Sequence, residues 1–212
     1  MLKKNPLQLG TTYIIGSYIL PGKLHEDINE IHGSNIKINI SNCTNVIEKI
    51  KSRELDLGLI ETPSNEPEII ANEWINNELI ICSKSKLPPL VEKNTFSKYK
   101  LICHEDTSPI KKLINDFFKK FKISYSDFHS IAKINNTTAA IHSVKWARPQ
   151  MNHATITIVS SMAIEDEVRN KELFISRIKN HAMHHHFYIV YHKDTNIQDI
   201  QQIINVLIQY KN

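Results

Sequence analysis

Six polar residues of this chain share a setting suited to holding a small anion: Thr11, Thr12, Asn42, Thr44, Ser108 and Thr137. Each follows a short apolar run and precedes apolar residues at helical spacing, so each lies where a strand hands the chain to a helix. Such a junction offers a hydroxyl or amide side chain. It also offers backbone N–H groups with no acceptor inside the helix, and the positive end of the helix dipole. The chemistry is recognition: hydrogen bonds to a carboxylate, phosphate or sulfate, with no covalent step. Lys111 and Arg148 are near enough in sequence to assist. The plainer reading is that these residues only cap helices, each contributing about 1 kcal/mol to stability.

Other candidates are weaker. His181, His184, His185 and His186 form a run that could hold zinc or nickel. On a strand, however, His184 and His186 share one face while His185 takes the other, and no Cys or carboxylate pattern of structural-zinc spacing accompanies them. Cys43 at a helix start could have a lowered pKa and act as a redox sensor, but a buried or ligand-contacting thiol fits it better. Glu165-Asp166-Glu167 reads as a solvated helix face. No nucleophile elbow, phosphate loop, dinucleotide fingerprint or HExxH motif is present. Catalytic residues, metal ligands and cofactors are therefore not expected, and an enzyme finds no support.

Composition sets the outer bounds. A chain of 212 residues, 41% hydrophobic and 23% charged, can bury a sizeable core as one large domain or two small ones. The formal net charge of +4 is scattered among Lys and Glu, without the basic stripe of a nucleic-acid surface. Three cysteines without CxxC spacing argue against a disulfide framework and suit a reducing compartment. No stretch has the pattern of a signal peptide or a membrane span.

The elements that must position the six residues come in α/β order. Leu7–Gly10 reads as a strand, followed by a helix through Ile19, Leu24, Ile28 and Ile31, with Pro21 in an early turn and Gly33 ending it. Ile36, Ile38 and Ile40 alternate with polar residues, the period of a half-buried strand. Val46, Ile47 and Ile50 then give a helix, and Leu55–Ile60 a buried parallel strand ended by Pro63. Residues 64–77 read as polar and turn-rich, and 78–82 as the next strand. Ile110, Leu113, Ile114, Phe117, Phe118 and Phe121 form the clearest amphipathic stripe, behind the helix start Thr107-Ser108-Pro109. Strands near 101–104, 128–134, 155–159, 173–178 and 187–191 follow, with helices between them and one through Ile200–Ile208 at the end. The alternation predicts parallel sheets.

The run GTTYIIGSYILPGKL, then a strand, then NCTNVIEKIKSRELDLGLIETP, resembles the effector-binding domain of LysR-type transcriptional regulators. Within that family it is most similar to the branch that includes the cysteine- and sulfur-metabolism regulator CysL. The resemblance continues to the end of the chain with one interruption: the longer stretch Lys145–His153, with Trp146 and Arg148, stands where the family has a short glycine-containing turn. It implies two Rossmann-like lobes of the type II periplasmic-binding-protein fold, joined by two crossover strands. Lobe one would be residues 1–84 and 188–212, and lobe two residues 85–187. The ligand, a small anionic or polar effector, would sit in the cleft between them, bound by Thr11, Thr12, Asn42 and Thr44 and closed on by Ser108 and Thr137. Binding would change the lobe angle or the dimer packing. The resemblance further implies a homodimer or tetramer, a cytoplasmic location, no membrane partner, and DNA contact only through the winged helix-turn-helix that these residues do not include. An exported solute receptor feeding a transporter is the alternative reading.

Overall fold

The structure is a computed structural model and describes residues 6–32, 36–105, 108–148 and 153–210. Gly33, expected to end a helix, lies outside the described residues, as does Thr107. In chain order the main elements are β1 (Leu7–Thr11), α1 (Lys23–His32), β2 (Ile36–Ile40), α2 (Cys43–Lys51), β3 (Leu57–Ile60) and β4 (Ile69–Ser83). Then come β5 (Leu90–Val91), β6 (Tyr99–His104), α3 (Pro109–Phe121), β7 (Ser130–Ile134), α4 (Thr137–Lys145) and β8 (Ala154–Ser160). The last are α5 (Glu165–Arg169), β9 (Phe174–Ile178), β10 (Met183–His192) and α6 (Ile197–Gln209). The chain divides into two compact units, Met1–Asn76 with His186–Asn212, and Asn77–His185. It passes from one to the other within β4 and again within β10. Among the described residues no helix is long and apolar enough to cross a membrane.

In the first unit the strand order is β2-β1-β3-β10-β4, with β1 parallel to β2 and β3, and β10 antiparallel to β3. Leu57–Ile60 is buried along its whole length, as a central strand flanked on both edges must be. The alternating strand β2 behaves differently. It has one neighbour and lies at the sheet edge, so Ile38 and Ile40 are 36% and 43% exposed where the alternation predicts a buried face. The first helix also departs from its expected form. A π-helical turn, Ile15–Ile19, is separated from α1 by Pro21-Gly22, because proline cannot continue the ladder and Gly22 takes φ +82°. Residues 69–77, read as a loop, extend β4 to 15 residues.

Helix α2 is brought to the sheet by one contact. Gly10 of β1 and Gly58 of β3 are register partners, and Val46 of α2 rests over both. A Cβ added at Gly58 would come 2.9 Å from Val46 Cγ1 and 2.7 Å from Val190 Cγ2, and one at Gly10 would come 3.1 Å from Val46 Cγ1. Only glycine lets the helix approach this closely. Val46, Ile50, Leu55, Ile60, Ile69 and Val190 form the resulting core cluster.

In the second unit β6 is parallel to β7 and β8, β8 is antiparallel to β4, and the order is β4-β8-β6-β7. The stripe on α3 buries Ile110, Ile114 and Phe118. Phe128 stacks on Phe96 at 4.7 Å and on Phe118 at 6.0 Å between centroids, which joins the helix to the segments beneath it. Lys122 ends α3 in the left-handed conformation.

The glycine contact gives a stability prediction. Gly58→Ala is expected to destabilise the fold by about 1–3 kcal/mol through overpacking against Val46 and Val190. In urea unfolding this appears as a lower midpoint at unchanged slope; an unchanged midpoint would show that α2 can retreat freely.

Candidate ligand-binding site

The strand ends of the first unit lie side by side. Thr11 pairs with Ile40 on one side and with Leu59 on the other, so the residues just past the strand ends, Thr12, Ser41 and, one step beyond Ile60, Glu61, leave the sheet at one edge. The Ser41 N–H donates to the Thr11 carbonyl and the Thr12 N–H to the Leu59 carbonyl, both at 3.0 Å, which holds the three turns in register. Thr11 is fully buried and its hydroxyl donates to the Thr12 carbonyl at 3.3 Å, so its role is internal. Asn42 is exposed and caps α2, its Oδ1 accepting from the Asn45 N–H at 2.8 Å. Thr44 is exposed in the first turn of α2. The N–H groups of Cys43 and Thr44 precede any intrahelical acceptor and face outward by position.

Two hydroxyls at this edge are buried and unpartnered, Thr12 Oγ1 and Ser41 Oγ. Ser41 was absent from the expected set, because a serine after an alternating strand reads as turn chemistry. Leaving a buried hydroxyl unsatisfied costs about 1–3 kcal/mol, so two together at the mouth of α2 call for a partner.

Glu61 is the third residue that sequence reasoning missed. It follows β3 directly and is 7% exposed. Burial pushes its carboxyl above the usual carboxylate range, against the Thr12 hydroxyl and the Ile14 N–H, which favour the ionised form. The Thr12 hydroxyl stands close enough to the carboxylate to favour its ionised form, without a hydrogen bond of normal geometry between them. Cys43 Sγ lies 3.3 Å from Thr62 Oγ1. Burial raises the thiol's pKa and the Glu61 charge adds to this, against hydrogen bonds from Thr62. Cys43 is thus kept as a thiol, the opposite of what a redox sensor requires.

At the edge of the second unit, the Glu105 N–H donates to the Ile134 carbonyl at 3.0 Å and aligns the ends of β6 and β7. Ser108 and Thr137, both half-buried, start α3 and α4 beside those ends. Ser108 makes no side-chain cap, and α4 is capped by Asn136, which accepts from the Ala139 N–H at 3.0 Å. Lys111 is buried with its ammonium 3.6 Å from the centre of the Tyr125 ring, so it is already engaged. His104, at the end of β6, is buried with Nε2 unpartnered. Desolvation, helped by the Lys111 charge, lowers its pKa to about 4, so it is neutral.

The other candidates disperse. His185 lies 3.3 Å from the Asn77 amide, and His186 lies 3.7 Å from the Glu73 carboxylate. Among the described residues no three His, Cys, Asp or Glu side chains gather as a metal site. Asp166 pairs with Arg169 on an open helix face. Trp146 is exposed and stacks on His142, and Arg148 is exposed.

The comparisons with known proteins decide the family. A family model described as the LysR substrate binding domain matches residues 2–211. The chain belongs to the LysR substrate-binding domain family. It is 23% identical over 206 residues to the HTH-type transcriptional activator CmpR of Synechocystis sp., covering 95% of this chain and 64% of CmpR. With the HTH-type transcriptional regulator CysL of Bacillus subtilis it shares 23% over 203 residues, 84% of this chain and 68% of CysL. The chain thus spans about two thirds of the length of these relatives, which are regulators and not enzymes. The CcmR regulatory domain of Synechocystis PCC6803, solved in complex with 2-PG, covers 99% of this chain at 14% identity, with a TM-score of 0.76 over 98% of its own length. That likeness shows the fold: the LysR domain has the type II periplasmic-binding-like α/β architecture. Among these relatives nothing supports a transporter receptor.

The buried carboxyl gives a pH prediction for the LysR domain. Because the folded chain holds Glu61 above its ordinary value, folding favours the protonated form. Its contribution to stability is complete at low pH. That contribution is lost as pH rises from the unfolded glutamate value, about 4.3, through the raised folded value. Glu61→Gln is therefore expected to raise the melting temperature relative to wild type increasingly between about pH 4 and neutrality. Calorimetry showing the same difference at both ends would place the carboxyl in water.

Proposed function

We propose that this domain senses a small anionic metabolite at the first-unit edge, through Thr12, Ser41 and Thr44, with Thr11 and Asn42 holding the turns that present them. The observation that carries this reading is the pair of buried, unpartnered hydroxyls, Thr12 Oγ1 and Ser41 Oγ, beside the free N–H groups of α2. Ser108 and Thr137 are proposed as ligand contacts at the corresponding edge of the second unit. The units themselves are proposed to be the two regulatory subdomains. An anion suits the hydroxyl and N–H donors at this edge, and 2-PG, bound in the CcmR regulatory domain, is an anion.

The whole protein is proposed to be a cytoplasmic LysR-type transcriptional regulator, a homodimer or tetramer. Effector occupancy in it would bias a helix-turn-helix domain outside these 212 residues, the part that meets DNA. Neither a cofactor nor a metal enters this mechanism.

A thermal-shift screen with 2-phosphoglycolate, inorganic sulfate and small hydroxy acids identifies the anion class. Thr12→Val and Thr44→Val are then each expected to remove one hydrogen bond to a charged group. That costs about 1.5–3 kcal/mol, or roughly 10- to 150-fold in affinity by calorimetry. Unchanged affinity in both variants would leave these residues as structural caps only.

A further inference from the structure

The three turns that end β1, β2 and β3, residues 10–16, 40–46 and 60–63, hold one charged side chain between them, Glu61. It is not a surface charge, being 93% buried by complement of its 7% exposure. From the first turn it meets the Thr12 hydroxyl and the Ile14 N–H, and from α2 the Cys43 thiol. From β10, Tyr188 pairs opposite Ile60, but its phenol responds to Glu73 and not to Glu61. Among the described residues no lysine, arginine or histidine compensates the Glu61 carboxylate.

An anion held by the Cys43 and Thr44 N–H groups and by the Thr12 and Ser41 hydroxyls shares this edge with Glu61. Two negative groups in a site without a cation cannot both stay ionised at low cost. Glutamate can yield by taking a proton, and its O–H then becomes a further donor. We propose that Glu61 belongs to the anion site and carries a proton when the anion is bound, donating its O–H to the anion, so that binding takes up one proton. The inference rests on the reading of this edge as the effector site. Burial already disfavours the ionised carboxyl in the free domain, which lowers the cost of that proton.

The test is isothermal titration of the 212-residue chain, wild type and Glu61→Gln, with inorganic sulfate and with 2-phosphoglycolate at about pH 6 and about pH 8. Sulfate keeps its charge over this range, so any pH effect on its binding belongs to the protein. Wild-type affinity is expected to fall by up to about tenfold per pH unit above the Glu61 pKa. Glu61→Gln keeps a donor and cannot ionise, so it should hold its affinity at both pH values and bind sulfate about tenfold or more tightly than wild type at about pH 8. Wild-type titrations in buffers of different ionisation enthalpy should show proton uptake, a readout that does not depend on the variant folding. Wild-type binding without proton uptake, or equal affinity in the two proteins at both pH values, overturns the role of Glu61 while leaving the site in place. Loss of binding by Glu61→Gln at both pH values also overturns it, since Glu61 would then be an ionised acceptor. Failure of wild type to bind either anion at about pH 6 overturns the anion reading, and this inference with it.

Discussion

Val46 seated over the paired glycines Gly10 and Gly58 is the contact from which the first unit's chemistry follows. A helix normally stands off a sheet by the depth of the side chains between them. Here two register partners present bare backbone, so α2 packs closely onto β1 and β3. The alignment that puts Thr12, Ser41, Glu61 and the first turn of α2 in one place is set by that depth. A methyl group at Gly58 would press on Val190 and Val46, and one at Gly10 on Leu55 and Val46.

The same edge concentrates costs that a core elsewhere avoids. Two buried hydroxyls lack partners of normal geometry, and Glu61 is buried at the same edge with only the Ile14 N–H and the Thr12 hydroxyl for support. Unsatisfied groups of this kind persist where something other than stability selects them. The second unit spends its polar groups differently. Asn136 satisfies α4, and the Lys111 ammonium lies over the Tyr125 ring, leaving His104 Nε2 and the Thr157 hydroxyl as its buried, unpartnered groups among the described residues. The two edges are alike in topology, each a set of parallel strand ends feeding helices, but the first leaves two hydroxyls unpartnered at its strand ends and the second an imidazole nitrogen.

Cys43 shows how neighbours override a local signal. Its place at the start of α2 should stabilise a thiolate. Half-burial and the Glu61 charge outweigh that, and the thiol's hydrogen bonds go to Thr62. The donors available at this edge are therefore hydroxyls and main-chain N–H groups, and not a reactive sulfur.

What the chain's order of residues determined on its own is local and periodic. The α3 stripe, the continuous apolar run of β3, the Asn42 cap and the strand-to-helix hand-overs were legible because each is a pattern within about a dozen residues. What only the tertiary structure decided depends on neighbours distant in sequence. Ile38 and Ile40 alternate like a buried face but lie on an edge strand, since no local pattern says how many neighbours a strand will have. Residues 69–77, the second part of a stretch read as turn-rich, became strand with β10 alongside them. Ser41 and Glu61 read as ordinary turn residues until three strands ended together and buried the Ser41 hydroxyl and the Glu61 side chain. Burial, and with it the state of a hydroxyl or a carboxyl, is a property of the assembled sheet and not of the segment that carries the residue.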